Sequence, residues 1–66
     1  MRVFVNGEPT ELPADQTVAE LVAHLGLTGK AVAVEVNRQV VPRRLHEATP
    51  LREGDRIEVV TLVGGG

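Results

Sequence analysis

The chain has no cysteine, no tryptophan and no tyrosine, and Phe4 is its only aromatic residue. Without cysteine there are no disulfides, no thiolate metal sites and no cysteine nucleophile, which fits a reducing, cytoplasmic setting. Cationic residues are also few: seven Lys plus Arg stand against nine Asp plus Glu, a net charge of −2 with His neutral. A nucleic-acid binder needs a basic footprint, often with stacking rings, and neither is present. Long apolar runs are missing too. The opening Met1–Gly7 holds no stretch long enough for a signal peptide, and Ile57–Val63 is broken by Glu58 and Thr61, far short of a bilayer span. No nucleic-acid or membrane partner is expected.

Length sets the next limit. Sixty-six residues make one domain, expected over 1–63 with a flexible glycine tail at 64–66. Ordering them costs on the order of 100 kcal/mol of conformational entropy, so one small core must offset nearly all of it. With 42% hydrophobic residues the composition is that of a globular chain. Little surface is left for a pocket that encloses a substrate. The chain is expected to act by being held by something larger, with no catalytic residue of its own.

The pattern of apolar residues gives the elements. Arg2–Asn6 alternates as a strand, with Val3 and Val5 on one side and Arg2 and Phe4 on the other. Asn6-Gly7 predicts a tight turn returning as a second strand over Glu8–Leu12, and Pro9 places that strand at an edge. Thr17-Val18-Ala19-Glu20 is a capping box that opens a helix. Val18, Leu21, Val22 and Leu25 then form its apolar stripe, Gly26 closes it, and Leu27 folds back onto Val22. Ala31–Asn37 alternates again, turns at Asn37-Arg38, and returns as a short strand over Gln39–Val41. Arg43–Pro50 is irregular or a single helical turn, with Leu45 and Leu51 anchoring it. Arg56–Val63 is the last strand.

One helix covers one face of a sheet, so the expected class is α+β: a roll with a mixed four- to five-stranded sheet. The expected core is Val3, Val5, Leu12, Val18, Leu21, Val22, Leu25, Val32, Val34, Val36, Leu51, Ile57 and Val59.

Few side chains offer chemistry. His24 and His46 have no ligand partner at a metal-binding spacing, and Glu53, Asp55 and Glu58 lack the oxygen spacing of a calcium loop, so no metal is expected. Arg43-Arg44 reads as a solvated basic pair. The informative features are two. Gly64, Gly65 and Gly66 follow a strand with no helix behind them, so they are not a phosphate loop; they offer a thin thread able to enter a narrow active site of another protein. If Val3, Val5, Ile57 and Val59 point inward, then Phe4, Val60 and Leu62 point out. With the first and last strands adjacent, these three make an apolar docking patch beside the tail.

The strand–hairpin–helix–strand order with its glycine end resembles the ubiquitin-like β-grasp fold. More narrowly it resembles the ThiS family, the sulfur carriers of thiamine biosynthesis. The matching stretches are Val5-Asn6-Gly7, Thr17–Val22, Val34–Arg43, Gly54–Val60 and Gly65-Gly66. The similarity runs the whole length. Many relatives carry a large aromatic where this chain has His46, and its three final glycines exceed the usual two.

The resemblance implies a mechanism. An ATP- and Mg-using activating enzyme of the ThiF type adenylates the carboxylate of Gly66, and Gly64 and Gly65 thread its active site. A persulfide from a cysteine desulfurase or rhodanese converts the adenylate to a thiocarboxylate, and thiazole synthase takes the sulfur. The carrier itself binds no cofactor, and Phe4, Val60 and Leu62 dock it. The resemblance also places the first and last strands parallel and adjacent at the sheet centre. Three other roles share these residues: a carrier for molybdopterin synthesis or tRNA thiolation, a modifier that forms amides with lysines, and an interaction module with an inert tail.

Overall fold

The computed structural model describes residues 1–62; the expectations that fall on Val63, Gly64, Gly65 and Gly66 lie outside the described residues. Five strands and one α-helix follow in the order β1 (Arg2–Val5), β2 (Glu8–Glu11), α1 (Val18–His24), β3 (Val32–Val36), β4 (Gln39–Val41) and β5 (Arg56–Thr61). A short 3₁₀ segment, Arg43–Ala48, lies between β4 and β5.

Both hairpins turn where the chain visits the left-handed region. Asn6 and Gly7 have φ of 51° and 84°, the pair of positive values that a two-residue turn needs to match strand twist. Asn37 and Arg38 do the same at 51° and 69°, with arginine in a conformation that disfavours a Cβ. The helix begins as its capping box predicts. Thr17 Oγ1 accepts the Glu20 N–H at 3.2 Å, and the Glu20 carboxylate accepts the Thr17 N–H at 2.9 Å. It ends at Gly26, whose φ of 76° lets the Leu27 N–H reach back to the Val22 carbonyl at 3.0 Å.

The sheet order is β2-β1-β5-β3-β4. β1 and β5 run parallel at the centre, and the other three pairings are antiparallel. Pro9 sits on the edge strand β2, where its missing N–H costs no ladder bond. The first turn's Asn6 holds β5 with its side chain as well as its backbone. Asn37 of the second turn does likewise: its N–H donates to the Arg56 carbonyl at 2.8 Å, and its Oδ1 accepts the Arg56 N–H at 3.0 Å. Both turns therefore grip the same central strand.

The core lies between α1 and one sheet face. Val3, Val5, Leu12, Val18, Leu21, Val22, Val34, Leu51, Ile57 and Val59 are buried, as expected. Full burial contributes about 1.5–3 kcal/mol for each large apolar side chain, so Leu21 and Ile57 are among its main supports. Three expected members depart. Val32 and Val36 are only half-buried, because the seven-residue helix cannot cover the full width of the sheet. Leu25 is exposed, since the chain turns at Gly26 and Leu27 packs against the core instead.

A second exchange occurs in the 3₁₀ segment. Leu45 is exposed, and His46 is buried in the role expected of Leu45. The His46 ring lies with Nε2 3.0 Å from the Val41 carbonyl. A carbonyl only accepts, so Nε2 carries the proton.

Candidate functional site

The candidate site is the outer face of the sheet together with the end of β5, the strand that leads to the tail. Alternation along β5 sends Ile57 and Val59 inward and leaves Arg56, Glu58 and Val60 outside, with Leu62 following them. Val60 and Leu62 are 55% and 58% exposed, and Ala33 of β3 lies opposite Val60 in register. These three make a small apolar surface near the exit of β5. Glu58 pairs with Glu35, and Glu35 with Val40, so a row of two carboxylates and an exposed valine crosses the face just below.

Phe4 lies on the same face but at a different level. It is opposite Arg56 on β5 and Pro9 on β2. The Arg56 guanidinium carbon stands 5.3 Å from the ring centroid, a cation–π distance. Val60 is four residues farther along the strand from Arg56, roughly 13 Å at the usual rise. The first and last strands are neighbours, as the docking patch requires. Phe4 nevertheless sits apart from Val60 and Leu62, with Arg56 and Glu58 between, so the face carries two apolar places rather than one patch.

The geometry at the end of β5 is set from both sides. On the β1 side, Phe4 N–H donates to the Asp55 carbonyl at 2.9 Å and Asn6 N–H to the Ile57 carbonyl at 2.8 Å. Past Val59, β1 has already turned away, and β5 continues against β3 alone. There Val32 pairs with Thr61, and Leu62 N–H donates to the Ala31 carbonyl at 2.9 Å. Beside this last bond is a groove of about 530 Å³ lined by Leu27, Lys30, Ala31, Thr61 and Leu62. The placement of Lys30 there is not evident from the sequence.

The two histidines do not meet. His24 is exposed at the end of α1 and His46 is buried under the 3₁₀ segment. Among the described residues no group of three metal-ligating side chains comes together. Arg43 and Arg44 are both exposed. Nor is any helix of the described residues long and apolar enough to cross a membrane. What the arrangement offers is a last strand braced on both sides and an exposed sheet face beside its end.

Residues 3–66 match the model of the ThiS family. The chain belongs to the ThiS family. A ThiS sulfur carrier protein of Thermus thermophilus is 41% identical over 69 residues, covering 97% of this chain and 98% of that one. The crystal structure of the thiamine biosynthesis protein ThiS from Geobacter metallireducens superposes with a TM-score of 0.84 at 33% identity, covering 100% of both chains. The β-grasp architecture is thus that of a solved ThiS protein. A thiazole synthase of Magnetococcus marinus is 44% identical over 66 residues, covering 100% of this chain but 20% of that protein. The chain spans about a fifth of the length of the first curated relatives it matches, both of them thiazole synthases.

Proposed function

We propose that this chain is a sulfur carrier of thiamine biosynthesis that works as a protein co-substrate in the cytoplasm. The observation that carries this reading is end-to-end similarity to proteins named as ThiS sulfur carriers, in sequence and in fold. Gly66 is the residue modified. Its carboxylate is a poor electrophile, and an activating enzyme of the ThiF type converts it with ATP and Mg²⁺ to an acyl-adenylate, which makes AMP the leaving group. Sulfur from the persulfide of a cysteine desulfurase or rhodanese then leaves a thiocarboxylate. Gly64 and Gly65 supply a stem without side chains for the enzyme's narrow channel.

Thiazole synthase is the acceptor in this reading. Support comes from the relatives that carry a segment like this chain within a protein named thiazole synthase, which keeps the two together as one polypeptide. Val60 and Leu62, with Phe4 at the lower level, face the partners. The carrier holds no cofactor of its own; ATP and metal belong to the activating enzyme.

The test is intact mass after incubation with a ThiF-type enzyme, ATP, Mg²⁺, cysteine and a desulfurase. Exchange of one oxygen for sulfur adds roughly 16 Da, to be placed at the C-terminal peptide rather than at an oxidised Met1. A gain at Gly66 that requires ATP is the expected result. Its absence, with an enzyme active on another carrier, overturns the reading.

A further inference from the structure

We propose that Asn6 is a self-modification site: its side-chain amide hydrolyses through the Gly7 nitrogen whenever β5 comes away from the first turn, and the product cannot clasp β5 again. The inference does not depend on the carrier reading. The chain has two asparagines, Asn6 and Asn37, and only Asn6 precedes a glycine. A backbone nitrogen reaches the preceding carboxamide carbon most readily where its own residue has no Cβ to hinder the approach. The two asparagines are otherwise alike. Each opens a two-residue turn at φ of 51°, and each has both polar atoms of its carboxamide bonded. Asn6 holds the N–H and carbonyl of Val59; Asn37 holds the Arg56 N–H and the Asp55 carboxylate. Asn37 is followed by Arg38, so the molecule carries its own control.

The step balances with water as the co-reactant. The Gly7 nitrogen gives up its proton to solvent and attacks Cγ of Asn6. The Cγ–Nδ2 bond breaks, Nδ2 takes a proton and ammonia leaves a five-membered imide. Water then adds at one of the two imide carbonyls, giving aspartate or isoaspartate at position 6. No electrons are exchanged. Asn6 and Gly7 are both exposed, so water has access to the turn. What the fold opposes is the attack itself. It makes Cγ tetrahedral and expels Nδ2, and the planar two-bond contact with Val59 cannot survive that change. The reaction therefore draws on the fraction of molecules in which the clasp is open.

The product is a one-way mark. A carboxylate only accepts, so aspartate at position 6 sets an anionic oxygen against the Val59 carbonyl where Nδ2 had donated. Isoaspartate adds a methylene to the main chain inside a turn that has room for two residues. Either way β5 loses its brace on the β1 side at Val59, directly before the exposed Val60 and Leu62. An opening that closes again unmodified leaves no trace; one that lasts long enough for the chemistry lowers the stability of that molecule for good.

The test incubates the full chain at mildly alkaline pH, folded and in guanidinium, and follows intact mass and peptide maps. Hydrolysis of one amide adds roughly 1 Da, and the map separates aspartate from isoaspartate. The expected site is Asn6, ahead of Asn37 in guanidinium, and the folded chain is slower there by at least about tenfold. Gly7→Ala slows the reaction in guanidinium, where folding plays no part. Ile57→Val leaves the Asn-Gly pair intact, weakens β5 beneath it, and raises the folded rate about two- to tenfold. The modified chain, refolded, unfolds at lower urea than the parent. Equal rates folded and unfolded, modification of Asn37 first, an unchanged rate in Ile57→Val, or a modified chain with the parent's midpoint each overturns the inference. None of these results bears on the thiocarboxylate assay, which tests the carrier reading separately.

Discussion

The side chain of Asn6 pairs with the backbone of Val59 as a neighbouring strand would. Its Nδ2 donates to the Val59 carbonyl at 3.2 Å, and its Oδ1 accepts the Val59 N–H at 2.9 Å. An amide side chain on a turn residue thereby extends the β1–β5 ladder one step past the point where β1 leaves the sheet. The strand that leads to the tail stays anchored on that side up to Val59.

Asn6→Ala removes both bonds and places a Cβ residue without a polar side chain at φ of 51°. Two hydrogen bonds at about 1 kcal/mol each, plus the cost of the left-handed conformation, predict a loss of roughly 2–3 kcal/mol. Asn6→Gly relieves only the conformational part and falls between. Urea unfolding of the three chains checks the order.

Thr17→Ala breaks the capping box at the start of α1 and is expected to cost about 1 kcal/mol, while Thr17→Ser stays close to the parent. Equal midpoints for the alanine and serine variants in a denaturant melt would count against the box as the helix start.

His46 combines volume and a hydrogen bond. His46→Ala opens a cavity and leaves the Val41 carbonyl without this partner, a loss of about 2–4 kcal/mol. His46→Phe fills the space but not the bond, so a smaller loss of about 1–2 kcal/mol is expected. The reverse ranking in thermal unfolding refutes this assignment of its role.

Val60→Glu and Leu62→Glu change exposed positions, so stability is expected to stay within about 0.5 kcal/mol. If this surface docks the activating enzyme, KM for the carrier rises more than about tenfold while kcat holds, because uniform binding is what is lost. Steady-state kinetics with carrier as the varied substrate measure both.

Phe4→Ala strips the ring beneath Arg56 and is expected to cost about 1–2 kcal/mol from lost packing and cation–π attraction. Since Phe4 stands roughly 13 Å from Val60, the binding effects of Phe4→Ala and Val60→Glu should add within about 0.5 kcal/mol. A larger coupling in the double variant would mean that the two places work as one.

Local chemistry made much of this fold legible. Asn6-Gly7, Asn37-Arg38 and the Thr17–Glu20 box each state their own geometry over a few residues, and the structure forms two hairpins and a capped helix there. The alternation of apolar residues pointed to the inward face of β1, β3 and β5, although only Val34 of the three β3 valines is fully buried there. What alternation cannot give is level: it assigns Phe4 and Val60 to one face, but their separation depends on the β1–β5 register, set by contacts over fifty residues apart. In the 3₁₀ segment the repeat nears three residues per turn, and the side chain turned inward moves from Leu45 to His46. Polar type concealed that exchange, since a histidine with one carbonyl partner suits a small core. Lys30 was hidden for a different reason, because only the β3–β5 register brings its turn to the end of the last strand.

The parallel seam between β1 and β5 also fixes how the molecule meets a mechanical load. A partner that draws on the tail while the body is held near Met1 pulls along the strands, not across them. The bonds from Phe4 to Asp55, from Asn6 to Ile57, and the paired amide of Asn6 against Val59 then bear the tension together, in shear. They do not open one after another like a zip. If a partner draws in the glycine tail, as proposed, it pulls on a strand moored by a joint oriented to resist that load.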